Sequence, residues 1–316
     1  MAVEVSNLNK SYGSLLAVDN LSLKVEYNTI HGFLGPNGAG KSTTIKILMG
    51  LLKPDRGSVR ILDQEFAWDK PGLREHVGYV PELPKLPKYL KGLELLDLYG
   101  QMFGMPKEER GNQAHELLSL VGLEGRGDDQ IGTYSKGMQQ RLGIAQALLN
   151  DPKLVILDEP SLGLDPIGMI EIRDLIRNLA KRGITVFLSS HLLAEVEQIC
   201  THVTVLNKGV KLTSGRIDQI SSTLKAPLEI KVEIEKLSSK LIANLKKLSF
   251  VTGVFRDGKN LSIKLNTHDD VRSNVSQTIT SSGGIILSMN VKGSSLEAVF
   301  LSLLAEKKEG EKTENR

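Results

Sequence analysis

Cysteine is almost absent from the chain: Cys200 is the only one in 316 residues. An intramolecular disulfide is thereby excluded, and a reducing compartment is the expected one. Cys200 stands in an apolar helical context, which suits a buried filler. Long apolar runs are missing too. No stretch approaches the roughly 18 to 20 apolar residues that a membrane-crossing helix requires, so the chain is expected to be soluble and to reach a membrane only through a partner. Met1–Lys10 has no basic start followed by an apolar core, and no secretory leader is expected. Charge of one sign is nowhere concentrated. Lys and Arg number 40 against 37 Asp and Glu, a net charge of +3, and no run of five like charges occurs. Nucleic-acid binding would call for a basic stripe. No repeat of about 20 to 50 residues is evident.

What remains is an ordinary globular composition, 40% hydrophobic over 316 residues, enough for one large domain or two smaller ones. Over the first 215 or so residues, short β-type runs alternate with helical patterns. Ile30–Leu34 reads as a buried strand, then a Gly-rich loop, then a helix from Lys41 to about Leu52. Pro54–Gly57 reads as a turn and Ser58–Leu62 as a strand. Leu154–Leu157 is an unbroken apolar run, as for a strand covered on both faces. Ile172, Leu175, Ile176, Leu179 and Ala180 lie on one face of a helix, and Thr185–Leu188 is the next strand. Strand, helix, strand in this order predicts a parallel sheet with helices on its faces. From about Pro87 to Asn150 the strand signal gives way to helical patterns, a helical subdomain inserted into the α/β core.

After Ser221 the character changes. Leu228–Ile234, Val251–Phe255, Leu261–Leu265 and Ile285–Met289 read as strands, with helices near Leu237–Leu245, Asp269–Thr280 and Ser295–Leu304. A βαββαβ order with a closing helix predicts a small two-layer α+β appendage. The expected division is therefore residues 1–222, 223–305 and a charged, disordered tail at 306–316.

Three segments carry chemistry. Gly35-Pro36-Asn37-Gly38-Ala39-Gly40-Lys41-Ser42 fits G-x-x-x-x-G-K-[ST]. The glycines let the backbone curl so that N–H groups converge on a phosphate at the positive end of the following helix. Lys41 can reach the β- and γ-phosphates, and the Ser42 hydroxyl can bind Mg²⁺. Leu154–Pro160 is an apolar strand ending in two carboxylates. Asp158 would then stand near the metal, and Glu159 near an attacking water as general base. Alone, such a pair is as often structural. Its place downstream of the phosphate loop, at the end of another core strand, favours the functional reading. Tyr134–Arg141 puts a Ser and a Gly at the start of a helix, which offers a hydroxyl, N–H groups and a helix dipole to an anion.

With the other two motifs, this last segment resembles the L-S-G-G-Q signature of ABC-type ATPases. Ser135 and Gly137 match it, while Tyr134, Lys136 and Met138 depart from it in ways resembling the exporter-type subfamily for drugs, lipids or ions. The resemblance covers about residues 1 to 220 and implies a P-loop ABC-type ATPase core. It also implies a role for each remaining marker. Tyr12 would stack on adenine, where an isolated aromatic would otherwise serve packing. The loop from Gly35 to Thr43 would hold nucleotide. Ser161–Asp165 would be the stretch through which two subunits communicate, with Asp165 in it. His191 would contact the γ-phosphate, although a lone His after a strand is usually structural. Glu82 stands where the family usually has a glutamine that touches the metal and the membrane subunit. It would bind Mg²⁺ more strongly, or else face solvent while a neighbour does the work.

The resemblance further implies two subunits closing head to tail over two ATP, so that Ser135 and Gly137 of one chain meet the γ-phosphate held by Lys41 of the other. The partners expected are a second copy or a related ATPase subunit, and multi-span permease subunits. Gln101 and its neighbours would help form the docking surface. Cofactors would be ATP and Mg²⁺, and the location cytoplasmic, peripheral to the membrane through the permease. No nucleic-acid partner is expected. The competing reading is a soluble ABC-type ATPase acting on DNA or ribosomes. DNA-acting relatives carry a long coiled coil between phosphate loop and carboxylate strand, and only about 115 residues without sustained heptads lie there. Ribosome-acting ones usually have two ATPase domains, whereas this chain has one phosphate loop. The appendage would serve regulation or simple packing.

Overall fold

Apolar and polar residues alternate along the first 25 positions, and there the chain folds into β1 (Val3–Tyr12) and β2 (Leu15–Val25). The two pair antiparallel, Val3 opposite Val25 and Tyr12 opposite Leu15. This hairpin escapes the motif-led reading of the sequence. It is followed by β3 (Ile30–Leu34), buried at every position, and by α1 (Lys41–Leu48). The helix stops short of Leu52. The N–H groups of Gly50 and Leu51 fold back onto the carbonyls of Ile47 (2.9 Å) and Lys46 (2.8 Å), the bond pair of a Schellman end.

Next in the chain, β4 (Arg56–Ile61) and β5 (Gln64–Glu65) extend the hairpin into a sheet of order β2-β1-β4-β5. The stretch from Ile30 to Ile61 is therefore not a parallel βαβ unit, because β4 runs antiparallel to β1. In β4, Val59 and Ile61 are buried while Arg56, Ser58 and Arg60 are exposed. That one-sided pattern suits an antiparallel sheet with one face in water.

The chain continues through β6 (Val77–Val80), α2 (Gly92–Met102), α3 (Lys107–Leu120), α4 (Lys136–Leu148), β7 (Leu154–Leu157), α5 (Pro166–Lys181), β8 (Thr185–Ser190), α6 (Leu193–Ile199), β9 (His202–Asn207) and β10 (Val210–Arg216). The central sheet has the order β10-β9-β3-β8-β7-β6 and is parallel except for β10. Helices α2 to α4 form the insertion between β6 and β7, with Leu95, Leu96, Leu118 and Leu142 buried among them. One core joins the two sheets and α1: Val5, Leu21 and Val59 from the first sheet, Ile45 from the helix, Phe33 and Phe187 from the second. The two phenyl rings lie 5.2 Å apart. Cys200 closes α6 as a buried thiol, its pKa pushed up by burial first and by Glu195 second.

The computed structural model describes residues 1–65, 75–223, 229–267 and 269–292. It falls into two units, Met1–Ile217 and Asp218–Arg316, a few residues before the expected division at 222. Helix α7 (Ile217–Thr223) spans the division. The second unit runs β11 (Glu229–Ile234), α8 (Ser239–Lys246), β12 (Val251–Asp257), β13 (Asn260–Leu265), α9 (Arg272–Ser281) and β14 (Ile286–Lys292). Its antiparallel sheet has the order β12-β13-β11-β14. A core of its own includes Ile230, Val232, Leu241, Ile263 and Ile279. Helix α9 begins later than Asp269, because the Asp270 carboxylate accepts from the backbone N–H (3.2 Å) and the guanidinium of Arg272. The expected closing helix Ser295–Leu304 and the tail 306–316 lie outside the described residues.

Candidate functional site

Parallel strands β3, β8, β7 and β6 are neighbours, so their C-terminal ends open on one edge, where ligands of such sheets bind. The phosphate loop follows β3, the Asp158–Glu159 pair follows β7, His191 follows β8, and Glu82 follows β6. Tyr12, the run from Pro36 to Thr43, Glu82, Glu159 and His191 all line one cavity of about 550 Å³.

The loop is shaped by Gly40, whose φ of 99° lies in the left-handed region. A Cβ there would meet the Ala17 carbonyl oxygen at 2.4 Å. Among the described residues no side chain caps α1, and an uncapped helix N-terminus is the kind of end that receives anions. Lys41, 5% exposed, donates to the Gly35 carbonyl at 2.7 Å and pairs with Glu159 at 3.1 Å. The other Glu159 oxygen lies 2.8 Å from His191 Nδ1. Glu159 is itself held at φ 48°, an uncommon backbone conformation for a residue with a side chain. Its backbone N–H donates to Ser189 Oγ (2.8 Å), whose hydroxyl donates to Asp158 (2.6 Å). Burial raises the Asp158 pKa, against hydrogen bonds from Ser189 and Ser42 and the Lys41 charge, while the neighbouring Glu159 charge adds to the rise.

Five expected residues do not line this cavity. Gly35 and Asp158 are hydrogen-bonded to residues that do, Lys41 and Ser42; the other three are Ser135, Gly137 and Asp165. Ser135, exposed, caps α4 by accepting from the Met138 N–H at 3.2 Å. Gly137 follows in the first turn, half-buried. Asp165 caps α5, accepting from the Gly168 N–H at 2.7 Å. The departure at Tyr134 has a packing reason: the side chain is buried, and its hydroxyl donates to the Arg126 carbonyl at 2.6 Å. Two polar groups went unassigned from sequence. Ser189 links both carboxylate positions, and Glu195 takes hydrogen bonds from Ser161 and Ser190. The only signal for them was a pair of serines ending an otherwise apolar strand.

A divalent cation fits the donor set. Ser42 and Asp158 offer hard oxygen ligands within one hydrogen bond of each other. Mg²⁺ typically takes one or two carboxylates and completes its shell with phosphate and water. The raised Asp158 pKa fits as well, since a buried carboxylate disfavoured by burial is the group that gains most from a cation. Among the described residues there is no group of three or more acidic, His or Cys side chains that could hold a metal by themselves.

Comparison with known proteins settles the family. The profile described as "ABC transporter" matches residues 18–162. The bacitracin transport ATP-binding protein BcrA of Bacillus licheniformis is 36% identical over 303 residues, 96% of this chain and 97% of that one. The chain belongs to the ATP-binding subunits of ABC transporters. This ABC subunit is likewise 30% identical over 303 residues to the linearmycin resistance ATP-binding protein LnrL of Bacillus subtilis, covering 95% and 97% of the two chains. A solved structure of an ATP-binding subunit of an ABC transporter matches with a TM-score of 0.64 and 32% identity, over 71% of this chain and 93% of that one. The ATP-binding cassette MJ0796, solved as a dimer in a post-hydrolysis state with ADP and Pi, matches with a TM-score of 0.62 and 28% identity, over 68% and 98%. The ABC subunit is an ATPase, and the reading as an ATPase working on DNA or ribosomes is not favoured.

Proposed function

We infer that this ABC subunit hydrolyses Mg-ATP at a site completed by a second copy or a close relative, and so powers export by separate membrane subunits. The observation that carries the reading is a separation. Ser135 and Gly137 present a hydroxyl and a helix N-terminus, yet neither lines the cavity of their own chain. Head-to-tail closure would set them against the phosphate held by a partner's Lys41. The dimeric post-hydrolysis form of MJ0796 supports this arrangement.

Within the half-site, Lys41 and the N–H groups of Gly35–Thr43 would bind the phosphates, Ser42 and Asp158 would hold Mg²⁺, and Tyr12 would stack on adenine. Mg²⁺ would neutralise charge on the phosphates. Glu159 would polarise the attacking water. A phosphate on Lys41 competes with Glu159 for the ammonium and releases that carboxylate for the purpose. His191 would contact the γ-phosphate while steadying Glu159, and Asp165 would carry communication between subunits. Glu82 lines the same cavity, which supports a metal contact rather than a purely solvent-facing one.

Docking to permease subunits draws on the inserted helices. Leu98 and Met102, one turn apart on α2, are 43% and 73% exposed, and Phe103, next in the chain, is exposed as well. Among the described residues no helix is long and apolar enough to cross a membrane, consistent with a cytoplasmic subunit held to the membrane by its permease. Cargo selection would rest with that permease.

Glu159→Gln tests the core of the reading. Turnover should fall roughly 10²- to 10⁴-fold, the range for loss of a general base, and the variant should run as a dimer in gel filtration with saturating Mg-ATP. A variant that remains monomeric under those conditions refutes the completed-site reading.

A further inference from the structure

We propose that Glu195 is a positioning residue for hydrolysis, a buried carboxylate that ties the turn after Glu159 to the turn bearing His191. Glu195 lies in the first turn of α6 and is 6% exposed. Among the described residues it makes no ion pair. Its two oxygens are taken instead by two buried hydroxyls: Ser161 donates to Oε1, and Ser190 donates to Oε2 at 2.9 Å. Ser161 stands two residues after Glu159, and Ser190 one residue before His191. Since Glu159 and His191 are 2.8 Å apart, the contacts close a ring from Glu159 through Ser161, Glu195, Ser190 and His191 back to Glu159.

The ring reaches the phosphate loop as well. The Ser190 carbonyl accepts from the Gly35 N–H at 3.3 Å, and the Ser190 hydroxyl accepts from the Leu192 N–H at 3.0 Å. An ionised carboxylate can only accept, so the Ser190 proton is directed to Glu195 while an Oγ lone pair takes the Leu192 N–H. Burying a carboxylate is costly unless donors satisfy it, and an apolar side chain would serve packing alone equally well or better. A carboxylate in this place does what an apolar side chain cannot. It holds two loops, each one or two residues from a reacting group, at fixed spacing. Misplacing such groups costs rate more than binding.

The proposal rests on Glu159 as base, and the two ideas fail separately. With the full chain, Glu195→Ala should lower kcat roughly 10- to 100-fold, with KM for ATP and the affinity for a fluorescent ATP analogue changed less than about two-fold. Glu195→Gln keeps one acceptor oxygen and should recover part of the loss. Ser190→Ala combined with Glu195→Ala should cost less than the product of the single effects. Unchanged kcat in Glu195→Ala overturns the proposal. So does a loss of kcat that is matched by an equal loss of nucleotide affinity in both Ala and Gln variants, the mark of a purely structural role. Should the Ala variant fail to fold, unchanged kcat in both Glu195→Gln and Ser190→Ala overturns it. If instead Glu159→Gln retains turnover, it is the base assignment that falls.

Discussion

At the scale of single residues, this molecule keeps several ionisable groups away from water and gives each a specific counterpart. Glu159 lies between an ammonium and an imidazole, and Asp158 is bridged by Ser189. His31, in β3, is the contrasting case. It is 2% exposed, stacks on Phe187 with centroids 5.8 Å apart, and bonds to Thr204 through Nε2 at 2.9 Å, while Nδ1 has no partner among the described residues. Burial, aided by the nearby His202, lowers its pKa from 6.5 to about 3. The folded ring therefore stays neutral over a range in which the unfolded chain takes up a proton. Its contribution to stability is complete above pH 6.5 and is lost as the pH falls toward 3, with a limiting slope of about 1.4 kcal/mol per pH unit. His31→Gln, which keeps a donor but does not titrate, should flatten the acid dependence by about one proton. Urea unfolding of both proteins at pH 7.5, 6.0 and 5.0 measures this; parallel losses would show that His31 is not the group responsible.

At the scale of elements, the joint between β3 and α1 does the most exacting work. Two glycines in it differ in what they tolerate. At Gly38, with φ 79°, an added Cβ would meet nothing within 4 Å among the described residues, so Gly38→Ala carries only a conformational cost of about 1 kcal/mol. Gly40, at φ 99°, would drive its Cβ to 2.4 Å from the Ala17 carbonyl, adding a backbone clash to the strain. Gly40→Ala should therefore weaken nucleotide binding at least about ten-fold more than Gly38→Ala, a difference of at least about 1.4 kcal/mol. Titration with a fluorescent nucleotide would rank them, and equal affinities would contradict the steric account. The signature helix shows a similar division of labour. Tyr134 anchors its start in the subdomain core, which leaves Ser135 exposed at the N-cap.

At the scale of the whole molecule, the second unit has its own sheet and its own core. Among the described residues, every one that lines the cavity lies within Met1–Ile217. A chain truncated after Ser222 should therefore keep ATP hydrolysis within about two-fold and remain folded, as expected when two cores are independent. A large drop in turnover or in ATP-dependent dimer, measured by phosphate release and gel filtration, would instead assign the appendage a regulatory part.

Motifs of local origin were legible in the sequence. Gly35–Ser42 reads directly because a phosphate cradle needs glycines and a lysine at fixed spacing along one turn. The all-apolar β7 reads directly because a strand covered on both faces can hold little else. The βαββαβ order of the second unit followed from period and turn residues alone. Other features depend on contacts between residues distant in sequence. The joining of β4 to β1 was settled by which edge could accept a half-polar strand, and local pattern does not encode that choice. Ser189, Ser161, Ser190 and Glu195 are unremarkable letters whose bonds span up to 34 positions. What the amino-acid order determined was the chemistry available: a phosphate loop, two carboxylates, a histidine and a signature helix. Only the tertiary structure decided which of these share a cavity and which face away, because a parallel sheet gathers the ends of its strands while the inserted helices carry Ser135 elsewhere.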